Sequence, residues 1–534
     1  WNEKLKMTVG GDFKIGAPTG IGITISSSGN VDSIGIITAT SFKGTFDGSL
    51  SSSADATVNS VTVGKGANSV AGNTVVGETA LDAVTTGGNN TAVGKAALGA
   101  NTTAAYNVAV GSGALTTNTT GANNTAVGGV ALENNTTASN NTGLGNEALR
   151  ANTTGAQNTA VGSLALDANT TANSNTAIGY DSLGANTTGA QNTAVGRGTL
   201  SSNTTADNNT AVGTDALNDN TTGEYNTAVG AYSLDANTTT SNNTAIGYAA
   251  MGANTAGYSV AAVGTNALAS NTTGAQTNAM GHGALGANTT GNFNNAFGYN
   301  ALATNTTSSN NSAFGHSALA ANTTGTSNSA FGSTALDANT TGSYNTAMGT
   351  GALSACTTGA SNIAIGQACL SALTTGDYNV AVGRAVLVGT NASRNTAIGY
   401  YAMSNNTTGS YNTAVGYTAN IANTTGNYNT SVGDQALAQC TTGDSNTAIG
   451  ANALDACTIG HSNTAVGFLS LSADIDGIRN TAVGFHAGQS QNDADDNVWV
   501  GYQAGLSCTT GGLNTGIGKD ALRALTTGNS NVAV

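Results

Sequence analysis

Five aspartates near the end of the chain, Asp474, Asp476, Asp493, Asp495 and Asp496, are its most concentrated group of oxygen donors. Carboxylates that converge from neighbouring bends are the usual way to hold a hard cation such as Ca²⁺. Asp476 and Asp493 are 17 residues apart, which sets one above the other if the chain stacks with that period. Ca²⁺ is therefore the one cofactor the sequence suggests, and a solvated acidic bend is the competing reading, since no EF-hand loop surrounds these residues. Other chemistry is sparse. His282, His316, His461 and His486 have no partners at metal-ligand or triad spacing. The many glycines do not compose a phosphate-cradling loop. No carboxylate pair sits in a pattern that would build a cleft and tune two pKa values apart, so the chain reads as a non-enzyme. Tyr180, Tyr248, Tyr299, Tyr400, Tyr417 and Tyr502 recur at one repeat position and offer faces on which sugar rings could stack.

Composition explains why the chemistry is thin. Of 534 residues only 7% are charged and 5% aromatic, whereas glycine occurs 74 times and proline once. That is too little charge and proline for a disordered chain and the wrong glycine spacing for collagen. Net charge is −14 with no basic run, which excludes a phosphate-tracking surface and nucleic acid as a partner. No apolar stretch approaches the roughly 20 residues that span a bilayer. The chain opens without Met and stops one residue before the glycine its repeat demands, so we expect further protein beyond the end given.

The elements that must position these residues are set by a repeat. Glycines recur every 17 residues from Gly77 to Gly383, then, after one 16-residue step, from Gly399 to Gly518, 27 in all. Counting the preceding Asn as position 1, the unit reads N-T-A-V-G-x-x-A-L-x-A-N-T-T-G-x-x. Apolar residues five apart among turn formers fit neither a heptad nor a 3.6-residue helix. The fold class predicted is all-β: a β-solenoid or β-roll of 17-residue rungs over residues 60–534. Residues 1–59 lie outside the register and are expected to be a separate β-rich attachment or capping segment.

Two apolar files are expected to form the core, at positions 4 and 9: Val93, Leu98, Val127, Leu132, Val161, Leu166, Ile178, Leu183, Val195, Leu200, Val415, Ile449 and Leu454. Position 12 belongs with them. Its Asn, as at Asn101, gives way to Cys356, Cys440, Cys457 and Cys508 or to Leu373 and Leu525, exchanges that suit an inward side chain better than a solvated turn. Stacked asparagines would hydrogen-bond along the column as an amide ladder. Cys440 and Cys457 would sit one rung apart with parallel side chains, a poor arrangement for a disulfide. Ala92, Ala126, Ala160 and Ala194 at position 3, with Ala at position 8, form small columns that are expected to let chains approach closely, so a parallel homotrimer is predicted.

The unit N-T-A-V-G-x-x-A-L resembles the head repeats of trimeric autotransporter adhesins, and more closely the tandem repeats of phage tail-fibre and virion structural proteins. The segment Gly35-Ile36-Ile37-Thr38-Ala39-Thr40-Ser41-Phe42-Lys43-Gly44 is similar to one in structural proteins of marine cyanophages. The resemblance covers residues 29–44 and about 60–534. It implies a tail-fibre shaft at the virion or another extracellular surface. Its partners would be copies of itself, virion or baseplate proteins at one end and a host-surface glycan or protein at the other. A bacterial trimeric surface adhesin is the second reading. An ice-binding solenoid is the third, because Thr at positions 13 and 14 would stack into a regular array.

Overall fold

A computed structural model describes residues 13–16, 22–25, 31–33, 55–58, 60–389 and 391–534. The chain divides into two compact units, Trp1–Ser53 and Ala54–Val534. In the first, β1 (Phe13–Gly16), β2 (Gly22–Ile25) and β3 (Val31–Ser33) form an antiparallel meander. The Gly35 to Gly44 segment lies outside the described residues.

The second unit opens with antiparallel pairing. Ala56–Val58 pairs with Val61–Gly64, which in turn pairs with Thr74–Gly77. From there every strand lies parallel to the next, from Thr91–Val93 to Thr515–Ile517 and on to Val532–Ala533. Partners are 17 residues apart, as in Thr193↔Thr210, so the expected parallel β-solenoid of 17-residue rungs is what the chain forms. The short rung pairs Val380 with Thr396, and the missing residue is lost from the bend without breaking the ladder.

Each strand is the Thr-Ala-Val of the repeat, ended by Gly at position 5. The backbone at that glycine is left-handed, φ 133° at Gly230, and a Cβ there would lie 2.4 Å from the Gly247 carbonyl oxygen one rung on. Glycine stacks on glycine because nothing larger fits. The bend that follows places Leu at position 9 in the left-handed region too, φ 51° at Leu98 and 53° at Leu200. For a non-glycine residue this costs roughly 1–2 kcal/mol. Complete burial of the leucine, worth about 1.5–3 kcal/mol, offsets it.

One expectation about the core is corrected. Leu98, Leu132, Leu166, Leu183, Leu200 and Leu454 are fully buried, as is Asn101. The position-4 file is not. Val93, Val127, Val161, Val195 and Val415 are half-buried, and Ile178 and Ile449 are each 40% exposed. The alternation of a strand is the reason: if Ala at position 3 points inward, both neighbours must point outward. Ala92, Ala126, Ala160 and Ala194 are fully buried, so they line the interior and are not available for contact between chains.

The interior is therefore thin, with one Leu and two Ala per rung, and amides complete it. Fifteen asparagines at position 12, Asn101 to Asn339, form an unbroken ladder of Nδ2–H to Oδ1 bonds of 2.8–3.3 Å. A second file, at position 1, takes a different role. Asn90 Oδ1 accepts the backbone N–H of Asn107 at 2.9 Å, and Asn107 Nδ2 donates to the Gly121 carbonyl at 2.9 Å. Where Cys356 replaces Asn, the ladder stops and Asn339 Oδ1 is buried without a partner.

The last rungs use another solution. Trp499 stands at position 3 in place of Ala and is fully buried. Room for it comes from glycines that replace Leu at position 9, Gly488 and Gly505, and Ala at position 3, Gly516. A Cβ on these glycines would lie 2.6, 2.3 and 3.0 Å from the indole. Its Nε1–H donates to Gln491 Oε1 at 2.8 Å.

Candidate functional site

The five aspartates do different jobs. Asp474 occupies the inward position 12 and is buried, accepting from the Gly477 N–H at 3.1 Å, Asn480 Nδ2 at 3.2 Å and Gln491 Nε2 at 3.3 Å. Burial pushes its carboxyl up to about 7, against the pull of these donors, none of which is charged. Asp476 accepts the Thr458 hydroxyl at 2.9 Å, and Asp495 accepts the Ile478 N–H at 2.8 Å. Asp496 accepts Nε–H and Nη2–H from one guanidinium edge of Arg479, at 2.7 and 2.8 Å, and that hydrogen-bonded ion pair lowers its carboxyl below the usual range. Asp493 sits exposed in the bend, at the position that Asp476 holds one rung earlier. The structure thus commits Asp474 to the interior and Asp496 to an arginine. Among the described residues no three His, Cys, Asp or Glu side chains are grouped to hold a metal ion.

The cysteines are all buried thiols. Cys440 and Cys457 stack with sulfurs 4.0 Å apart, and burial raises Cys356 to about 11 and Cys369 to about 12, far from a reactive thiolate. The position-13 threonines bond along the stack: Thr102 and Thr119 donate their hydroxyls to the carbonyls of Thr119 and Thr136 one rung on, leaving the position-14 hydroxyls to the surface. A shallow surface hollow of about 310 Å³ lined by Asp215, Asn218, Asp219, Tyr232 and Asp235 carries one ion pair, Arg197 to Asp215 at 2.6 Å.

What the rungs display outward is a set of side-chain files. Position 6 gives His282, Tyr299 and His316 stacked at 5.3 and 5.2 Å, so the two histidines flank a tyrosine ring. Later rungs add Phe468, Phe485 and Tyr502 at 5.5 and 5.4 Å, followed by the Lys519 ammonium over Tyr502 at 5.8 Å. Position 17 gives Tyr378, Arg394, Tyr411 and Tyr428, with the guanidinium between two rings at 5.8 and 5.2 Å. Tyr180, Tyr248 and Tyr417 are more than half exposed.

The outward feature that runs without interruption is position 4. Val, Ile, Leu, Met or Phe occupies it in all 27 rungs, and Phe297, Phe314 and Phe331 stack there at 4.7 and 4.9 Å. Reasoning from the repeat found this file by its invariance but assigned it to the wrong side of the wall. The parity of Ala at position 3 was the signal that could have placed it. No family model, curated protein or solved structure matches this chain. Among the described residues no helix is long and apolar enough to cross a membrane.

Proposed function

We propose that this chain is the shaft of a fibre displayed on a virion, of the phage tail-fibre kind, assembled as a parallel homotrimer and serving host attachment. One observation carries the reading: 27 rungs keep a single register, tied by amide ladders and glycine stacking, which suits a stiff spacer. At about 4.8 Å per rung the stack extends roughly 130 Å. A spacer of that kind holds a recognition element away from its anchor, and the side-chain chemistry along the rungs is what a scaffold needs.

Electron microscopy of particles labelled with an antibody raised against residues 90–340 tests it. Label along projecting virion fibres is the expected result. Label on a bacterial cell surface in the absence of virions would replace the phage reading with that of a surface adhesin, and label on neither would remove both.

A further inference from the structure

We infer that the outward position-4 file is the surface on which identical chains pack, in parallel and in register, along the whole stack. This rests on the fibre reading for the direction of the chains and deepens it by naming the face.

Selection for strand propensity does not account for the file. Position 2 points outward from the same three-residue strands, and there Thr, Ser, Asn, Ala, Val and Ile are all accepted. Thr is as β-branched as Val. If a strand-forming residue were all that position 4 required, Thr would appear there at least once in 27 rungs, and no polar residue does. What position 4 excludes is polarity, although Ile246 is 40% exposed and Met280 50% exposed in the single chain. A file that excludes polar groups at that exposure is one that another surface covers.

The size of the strip is right for a stable association. A band from position 2 to position 4 is about 7 Å wide and, over 27 rungs, roughly 130 Å long, or about 900 Å² for each chain. A pair would bury on the order of 1,800 Å², within the range of specific stable interfaces. The flanking position-2 residues are uncharged throughout, so the net charge of −14 is carried by residues outside the strip.

The spacing names the occupant. A partner must present apolar groups at about 4.8 Å intervals for the full length of the strip. An α-helix, rising about 5.4 Å per turn, falls out of step within a few rungs. A second copy of this chain has the same spacing by construction. Its register is fixed by one bulky stretch, Met280, Phe297, Phe314, Phe331 and Met348, within a file otherwise of Val, Ile and Leu. Sliding by one rung sets each end of that stretch against a smaller neighbour.

The test uses cysteine cross-linking in the full chain, whose own five cysteines are buried. Val229→Cys is compared with Thr239→Cys, an exposed bend residue of the same rung. Mild oxidation is expected to give covalent dimers from the first variant and not from the second, with wild type sedimenting as more than one copy. A paired change, Val229→Glu with Val263→Glu, is expected to weaken association by about 100-fold or more while circular dichroism is unchanged, because both side chains face outward. A wild-type monomer, or cross-linking at position 239 in preference to 229, would overturn the interface. X-ray scattering separates the two readings: a monomeric rod of full length removes the interface and the trimer with it but leaves the elongated shaft standing, whereas a compact particle removes both.

Discussion

Replacing Asp474 by Asn is expected to stabilise the stack in a strongly pH-dependent way. Asp474 is a carboxyl placed in an amide file, and burial raises it from the ordinary carboxylate range to about 7. The folded chain therefore holds this proton more tightly than the unfolded chain does. The corresponding stability is fully present below about pH 4, declines as pH rises, and is lost above pH 7. Three pH units at about 1.4 kcal/mol each amount to roughly 4 kcal/mol. Asparagine carries no such penalty and reproduces the usual rung, with Oδ1 towards Gln491 and Nδ2 towards the Gly477 carbonyl. Thermal unfolding of wild type and Asp474→Asn at pH 4 and pH 8 reads the effect, because titrations elsewhere cancel in the difference. With an unfolding entropy near 2.1 cal/mol/K per residue over roughly 480 residues, 4 kcal/mol corresponds to about 4 °C if the stack melts as one unit. If the terminal rungs melt first, the shift concentrates in them, and amide exchange across rungs 463–514 reports it. The two proteins are expected to melt together at pH 4 and the variant higher at pH 8. A difference that is the same at both pH values, or largest at pH 4, would refute the assignment of a buried neutral carboxyl.

Further predictions concern the internal files. Asn220→Leu leaves Asn203 Oδ1 and Asn237 Nδ2 without their ladder partners and is expected to cost about 2–4 kcal/mol, read as faster amide exchange in the adjacent rungs. Cys356→Asn supplies a donor for the orphaned Asn339 Oδ1 and is expected to gain about 1 kcal/mol in the same measurement. Gly230→Ala forces a methyl against the Gly247 carbonyl, so limited proteolysis is expected to cut near that rung at a cost above about 3 kcal/mol. Trp499→Ala leaves a cavity worth about 3–5 kcal/mol, and adding Gly488→Leu and Gly505→Leu is expected to restore most of it by returning these rungs to the consensus.

The sequence alone determined the repeat, its 17-residue period, the parallel stacking and the inward Asn file, because each follows from identity between rungs. When residues n and n + 17 are alike over so many units, only a stack of equivalent layers explains it, and exchange of Asn for Cys or Leu reveals burial without coordinates. Tertiary structure decided which side of the wall each file faces. Val93 is as apolar as Leu98, and hydrophobicity cannot say that one points out and the other in; the strand's alternation and the left-handed backbone at Leu98 say so. The aspartates show the same division. Their clustering was visible in the chain, but Asp474 turns into the interior and Asp496 turns to Arg479, since position 12 faces inward and position 17 outward. The exchange of Trp499 with Gly488, Gly505 and Gly516 was hidden because its members are 6 to 17 residues from Trp499 in sequence and meet only when rungs lie on one another.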